Sequence, residues 1–422
     1  MSQEKILVVG GGGREHAIIY KLSQSPRKPI LYCAPGNAGI ASLAKCVDIG
    51  STELDKIVSF AKSEKIDTVF VAPDDPLYMG LVDLLEQNGI RAFGPRKNAA
   101  IIEGSKVFSK NLMKKYNIPT ATYEVFENAA DALAYIKKQG KYPAVIKADG
   151  LALGKGVIIA QSEKEATDAL DEIMNKKIFG TSGNRVVIEE FLQGPEVSVL
   201  AFCDGQTVVP MVSAQDHKRA YDNDKGPNTG GMGTFSPSRV YTKEIAQQCM
   251  ETIFKPTIDA MQKESRPFCG VIYFGLMLCK DGPKVIEYNS RFGDPEAQVV
   301  LPRLKTDLCD IIDAVIEKRL DKINIEWSDD SCVCVVAASG GYPGKYEKGL
   351  EITGLDLAEK AGCFVCHAGT KADGNKILTN GGRVLGVVAS GADIEKARQC
   401  AYEGISKINF EGMFYRRDIG IK

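Results

Sequence analysis

The segment Val285-Ile286-Glu287-Tyr288-Asn289-Ser290-Arg291 holds three groups suited to phosphoryl chemistry. Alternate side chains of an extended strand share a face, so Glu287, Asn289 and Arg291 are expected on one side and Ile286 and Tyr288 on the other. A carboxylate and an amide oxygen at that spacing suit a hard cation, Mg²⁺ or Mn²⁺, which leaves its other positions to water and phosphate oxygens. Arg291 has the guanidinium fork to hold a phosphoryl or carboxylate group beside it. A half-buried strand with a solvated polar face would show the same Glu-x-Asn-x-Arg pattern. The tail Phe292-Gly293-Asp294-Pro295-Glu296 favours a site, because glycine permits an unusual turn and Asp-Pro marks a predicted helix start.

Other segments carry complementary chemistry. The stretch from Pro143 to Val157 reads as two strands flanking a glycine-rich loop, with Lys147 at the end of the first and Gly154-Lys155-Gly156 before the second. It is not a Walker A loop, but such a loop can close over phosphates while Lys147 and Lys155 neutralise them; a surface hairpin with solvated lysines is the plainer alternative. Val186 to Ser198 reads as strand, turn, strand, whose edge offers backbone groups to an adenine while Glu196 accepts ribose hydroxyls. Gln215 to Asp222 and Gly226 to Gly233 read as a long loop too rich in charge and glycine to be a plain connector. His217 is expected to be structural.

These groups need a scaffold, and the first hundred residues suggest one. Strands at Ile6–Val9, Ile30–Cys33, Val47–Ile49 and Thr68–Val71 alternate with helices from about Arg14, Thr52 and Leu77, the rhythm of a parallel sheet with crossover helices. Ligands bind such sheets at the carboxyl ends of the strands, here the loops Gly10–His16, Ala34–Gly39 and Ala72–Leu77. A dinucleotide is disfavoured: the first loop lacks the third small residue, and the second strand ends in Ala34-Pro35-Gly36 rather than a ribose-binding acid. A phosphate cradle at the helix N-terminus, receiving a sugar monophosphate, is the expectation, with a structural turn as the alternative. Further along, a helix is expected over Ser105–Tyr116. Beyond Trp327, a domain with glycine-rich turns such as Gly381-Gly382-Arg383 shows no chemical constellation and reads as a packing module.

With 422 residues, the chain is expected to form about two to four domains. Its 53 Lys and Arg against 54 Asp and Glu create no global field for nucleic acid or an anionic membrane. No apolar run is long enough for a membrane span or a signal h-region, so a soluble, cytoplasmic protein is expected. The 12 cysteines are scattered, many in strand-like runs, and read as reduced, buried small hydrophobes. Cys363-Phe364-Val365-Cys366-His367 fits the haem-attachment pattern, but no export signal accompanies it, and the spacing from Cys332 and Cys334 is poor for zinc.

Taken together, Gly10–His16, Pro35–Gly39, Lys147-Ala148-Asp149-Gly150, Gln215–Lys218, Asn228–Gly233 and Arg291–Glu296 resemble the ATP-grasp superfamily and, within it, the phosphoribosylamine–glycine ligases, over the whole chain. That resemblance implies an α/β and α+β multidomain fold: a parallel-sheet domain over 1–102, a two-lobed ATP-grasp core over 103–328 with a lid at about 121–190, and a small α/β domain over 329–422. It implies ATP-driven joining of glycine to 5-phosphoribosylamine in purine synthesis. Lys106, Lys147, Gly154, Lys155, Gly156, Glu189, Leu192 and Glu196 would hold ATP, and Glu287 and Asn289 the metal. Arg291 and Lys155 would be catalytic. Gly11, Gly12, Gly13, Asn37, Gly39, Pro73, Asp74, Asp216, Lys218 and Arg291 would contact the other substrates. Ala72-Pro73-Asp74 departs from the Gly-Pro-Glu of that pattern, keeping the charge on a shorter arm, and Tyr273–Met277 lacks the further metal-binding Glu common in the superfamily. A monomer or weak dimer and a transient contact with the preceding amidotransferase are the partner expectations. Another ATP-grasp ligase or a carboxylase is the alternative, against which Gln215–Lys218 and Asn228–Gly233 argue.

Overall fold

The computed structural model describes residues 3–150 and 156–421. The first sheet is parallel throughout, in the order Lys45–Cys46, Ile30–Pro35, Lys5–Gly10, Thr68–Val71, Arg91–Phe93. Its central strand, Lys5–Gly10, is apolar because helices cover both faces, as parallel sheets require. Two elements differ from the sequence reading. The strand expected at Val47–Ile49 is Lys45–Cys46, with Val47 adding one bond to the Cys33 carbonyl before the chain turns. The helix expected from Leu77 is two, Asp74–Met79 and Leu81–Gln87, because Gly80 at φ 100° breaks the run.

The middle of the chain builds two antiparallel sheets. One has the order Tyr123–Phe126, Val186–Glu190, Ala144–Ala148, Val157–Ala160, with helices Ala129–Gln139 and Glu163–Leu170 packed on it. Asn128 and Ser162 cap those helices by accepting the amides of Asp131 and Glu165. The other has the order Val208–Pro210, Glu196–Asp204, Cys269–Cys279, Gly282–Asn289. The strands Val186–Glu190 and Glu196–Asp204, adjacent in sequence, belong to different sheets, so Phe191–Pro195 is the crossing between two lobes.

The last sheet has the order Gln215–Asp216, Gly233–Ser236, Ser331–Ala338, Arg383–Gly391, Phe364–His367. It therefore takes two short strands from the middle of the chain. Part of the expected long loop is ordered by strand pairing, since Arg219–Tyr221 also pairs with Lys225–Asn228.

Packing ties these units unequally. One hydrophobic cluster runs through the first sheet (Ile6, Val8, Phe70), the second lobe (Phe202, Tyr273), the helix Leu308–Ile316 and the last sheet (Cys334, Val388). Phe292 sits inside it, its ring 6.3 Å from Phe70 and 6.2 Å from Phe202. The first lobe has a separate, alanine-rich core of Ala132, Ile136, Ile146, Ala148, Ala166, Ala169 and Ile188. The described residues contain no helix long and apolar enough to cross a membrane.

Candidate active site

The strand Gly282–Asn289 carries the first site residues. Its pairing with Cys269–Cys279 slips once: Leu276 faces Val285 and Gly275 faces Glu287, leaving Ile286 as an extra residue. A bulge of this kind takes one residue out of the ladder. Here the Ile286 carbonyl accepts Lys147 Nζ at 3.0 Å. Beyond the bulge Glu287 and Asn289 alternate regularly, so both stand on one face. Gly275 leaves room beside them, because a Cβ there would lie 3.2 Å from Glu287 Cγ. Burial opposes ionisation of Glu287, but Lys218, Lys147, Lys106 and Arg291 outweigh it and hold the carboxyl below its usual range.

Arg291 lies two residues past the strand end, anchored by Phe292. Its Nη2 is 3.0 Å from Glu103 Oε1 and 3.6 Å from Asp74 Oδ2. Asp74 begins the short helix after Pro73, so the first domain reaches the same arginine. Burial pushes Asp74 upward, yet Arg291 and Arg14 prevail and keep its carboxyl low. Arg291 Nε is buried without a hydrogen-bond partner among the described residues. The helix expected at Asp294-Pro295 starts later, at Ala297, and Asp294 instead accepts from Gln298 (2.8 Å) and Arg383 (2.9 Å).

A lysine cluster faces these groups, Lys147 on a first-lobe strand and Lys106 and Lys110 on the helix Lys106–Lys115, whose Leu112 and Met113 pack into the second lobe. Lys147 Nζ is 3.0 Å from Glu189 Oε1, and Lys110 Nζ is 3.0 Å from Glu189 Oε2; all three side chains are nearly fully buried. Glu189, expected to touch ATP, thus has both oxygens beside lysines. Lys106 Nζ donates to the Gly150 carbonyl at 2.8 Å, and burial lowers its pKa while Glu287 raises it. Gly154 and Lys155 lie outside the described residues, and Gly156 follows them into the strand Val157–Ala160. Leu192 is half-buried on the crossing between the lobes.

Lys218 closes the far side, its Nζ 3.2 Å from Glu196 Oε2 and 4.0 Å from Glu287 Oε1. The two acids, Glu196 first, hold the ammonium well above its ordinary pKa. Asp216, one pleat away, has a buried Oδ1 without a partner among the described residues. Burial and the Glu296 charge drive its carboxyl up. Gly231 packs against it at φ 115°, where a Cβ would fall 2.6 Å from that oxygen. The Gly230 carbonyl accepts Arg383 Nη1 at 2.6 Å, and the Gly230 amide donates to Tyr342 Oη at 3.1 Å. The last domain, read as packing alone, thereby holds the glycine run in place.

The N-terminal loop is held by its own Glu15 and by the neighbouring loop at Gly36 and Asn37. The Gly12 amide donates to Glu15 Oε2 at 2.6 Å, so that donor is taken, and Gly13 begins the helix Gly13–Ser23. Gly11 presses on the Gly36 carbonyl, where a Cβ would meet oxygen. Asn37 donates to the Gly11 and His367 carbonyls, each at 2.9 Å, and accepts the amides of Gly39 and Ile40. A Cβ on Gly39 would lie 2.5 Å from the His367 ring and 2.6 Å from His16. Asn37 and Gly39 thus have a packing reason for their identity.

Three consecutive matches decide the lineage: the phosphoribosylglycinamide synthetase N domain over residues 4–103, its ATP-grasp (A) domain over 104–297 and its C domain over 332–422. The chain belongs to the phosphoribosylglycinamide synthetase family. A phosphoribosylamine–glycine ligase of Caldanaerobacter subterraneus is 52% identical over 98% of this chain and 99% of its own length. The chicken trifunctional purine biosynthetic protein adenosine-3 is 48% identical over 99% of this chain, a match spanning 42% of that protein. The crystal structure of phosphoribosylamine–glycine ligase from Thermotoga maritima superposes with a TM-score of 0.85 at 34% identity, covering 98% of this chain and 100% of that one. The expected architecture, a parallel-sheet domain, an ATP-grasp core and a C-terminal domain, is the one present.

Within this family frame, the donor set fits a hard cation. Glu287 offers an ionised carboxylate and Asn289 an amide oxygen on one face, while no group of three His, Cys, Asp or Glu among the described residues is placed to hold a metal. Two protein oxygens with phosphates and water completing the shell is the Mg²⁺ pattern. Sequence reasoning missed Glu103, Lys110 and Arg383. Glu103 lies in an apolar helical run, Lys110 in a helix rich in exposed-looking lysines, and Arg383 in a glycine turn, so only tertiary contacts reveal them.

Proposed function

We infer that this chain is a phosphoribosylamine–glycine ligase, which uses ATP to join glycine to 5-phosphoribosylamine, giving glycinamide ribonucleotide, ADP and phosphate in purine biosynthesis. The observation carrying the reading is the convergence of Lys106, Lys147, Lys218 and Arg291 on Glu287 where both lobes and the first domain meet. Full-length relatives bearing that activity's name supply the substrates.

In this reading a glycine carboxylate oxygen attacks the γ-phosphorus of ATP, ADP leaves, and glycyl phosphate forms. The amine nitrogen then attacks the glycyl carbonyl carbon, the carbon–oxygen bond to phosphate breaks, and the nitrogen gives up a proton. Lys106, Lys147 and the Gly154-Lys155-Gly156 loop hold the triphosphate, and Leu192 and Glu196 the nucleoside. Glu189 acts by holding Lys147. Glu287 and Asn289 would hold Mg²⁺ or Mn²⁺, which supplies positive charge to the phosphate oxygens. Arg291 counters charge on the phosphoryl group in transfer, a contribution that preorganised donors make without reorganising. Asp216, Lys218 and the Gly230–Gly233 run contact glycine, and Gly11, Gly12, Gly13, Asn37, Gly39, Pro73 and Asp74 bound the amine's pocket.

ADP release is measured with Mg²⁺, ATP, glycine and phosphoribosylamine generated from ribose 5-phosphate and ammonia, omitting each in turn. ADP that requires both glycine and the amine supports the ligase; ADP formed without them, or none, overturns it.

A further inference from the structure

We propose that Glu103 is a positioning residue for phosphoryl transfer, fixing the Arg291 guanidinium by gripping two consecutive residues at the point where the strand Gly282–Asn289 ends. The proposal rests on the role given to Arg291 above.

Glu103 lies near the end of the helix Lys97–Gly104, and its side chain is only 7% exposed. Its Oε2 accepts both the Ser290 amide (2.7 Å) and the Ser290 hydroxyl (2.8 Å), while Oε1 faces Arg291 Nη2 at 3.0 Å. All three of these contacts come from donors, which favour the ionised carboxylate, while burial and the neighbouring Asp74 charge push its pKa up. One group thus fixes the backbone at Ser290 and the side chain at Arg291. Asp74 is a weaker hold on the same guanidinium, at 3.6 Å and with 22% of its side chain exposed. Arg291 Nη1 turns to the Phe292 carbonyl at 3.3 Å, and the buried Nε is left without a partner among the described residues. Such a donor is an exception in folded proteins, and at this site an incoming phosphoryl oxygen is its natural acceptor.

The same segment reaches the nucleotide side. Ser105 Oγ and the Val107 amide donate to Asp149 Oδ1 at 2.9 and 3.1 Å, and Lys106 donates to the Gly150 carbonyl. Residues 103–107 therefore link the arginine to the strand end that leads into the lysine loop. Small displacements of a transfer group cost up to about 100-fold in rate, so a shift in Arg291 should show in turnover rather than in binding.

The test compares Glu103→Gln, Glu103→Asp, Arg291→Ala and the Glu103→Gln/Arg291→Ala pair in the full chain, reading kcat, KM for ATP and the unfolding midpoint. Glu103→Gln keeps one acceptor oxygen for Ser290 but loses the charge and puts a donating NH2 toward Arg291. The expected result is a roughly 10- to 100-fold fall in kcat with KM for ATP within about twofold, partial rescue in Glu103→Asp, and no further loss when added to Arg291→Ala. An undiminished kcat in Glu103→Gln, or an equal loss with Arg291 already removed, overturns the proposal. Normal turnover in Arg291→Ala overturns the reading of Arg291 itself and is recognisable as a separate failure. If Glu103→Gln does not fold, Ser290→Ala decides: removal of one donor to Oε2 should lower kcat by about threefold at constant KM, and an unchanged kcat refutes the role.

Discussion

Arg291 and Lys147 are both buried cations at the same site, yet they are held in opposite ways. Arg291 is adjacent to Phe292, whose ring is embedded in a cluster shared by three parts of the molecule, and it is braced by the Asp74 and Glu103 carboxylates. Lys147 stands on a lobe with its own small core, tied across to the other lobe by the Ile286 carbonyl. Its charge is balanced by Glu189 of the same lobe, which also serves Lys110 on the helix Lys106–Lys115. The group assigned to transfer is thus built beside the shared core, while the group assigned to phosphate binding stands on a unit with an independent core. Geometry is demanded most where charge develops, and binding tolerates more adjustment.

Substitutions can break this contrast. Phe292→Ala, opening a cavity in the shared cluster, should cost about 3–5 kcal/mol and lower the melting midpoint of the whole chain. A change confined to one unit in calorimetry would deny that the cluster is shared. Arg291→Ala should reduce kcat by about 100- to 1,000-fold while ATP affinity stays within about threefold. Lost ATP binding with unchanged turnover at saturation would reverse its assignment. Lys147→Met should do the converse, weakening ATP binding by about 10- to 100-fold with a modest change in kcat, and the fold should survive because Lys110 still balances Glu189. Equilibrium ATP titration checks both.

Lys110 sharpens the contrast through pH. Burial pulls its ammonium from the ordinary 10.5 down to about 8 against the attraction of Glu189. Between those values the folded chain binds fewer protons than the unfolded one, so this group makes stability rise with pH there and imposes its full penalty below about 8. Lys110→Met should flatten that rise, measured as the shift in unfolding midpoint between pH 8 and 10. The smallest effect is expected from Ile146→Val, about 0.5–1.5 kcal/mol, read by amide exchange as a loss confined to the first lobe. Equal loss of protection around Phe292 would mean the two cores unfold together.

Much of this arrangement is legible in the sequence because the relevant patterns are local. The alternation of Glu287 and Asn289, the strand with Lys147 at its end and the parallel rhythm of the first hundred residues each depend on a few neighbours. What was hidden depends on distant partners. The bulge at Ile286 leaves no sign in composition, and nothing in the run ending at Glu103 announces that it meets Ser290 and Arg291. Asn37 and Gly39 read as ligand contacts, and the sequence carries no sign that hydrogen bonding and crowding by two histidines also fix their identity. The loop over Gln215–Asp222 concealed strands because they are two or three residues long and find their partners elsewhere.

The pairing of Gly233–Ser236 with Ser331–Ala338 reaches beyond this one molecule. Severing the chain between those strands would bare a central sheet edge on each piece, an invitation to aggregate. The middle of the chain and the last domain are then expected to travel between polypeptides together. The chicken relative fits this constraint, since its match covers 99% of the chain although it occupies 42% of that longer protein. A rearrangement that joins this chain to another sequence has to carry both of these strands with it.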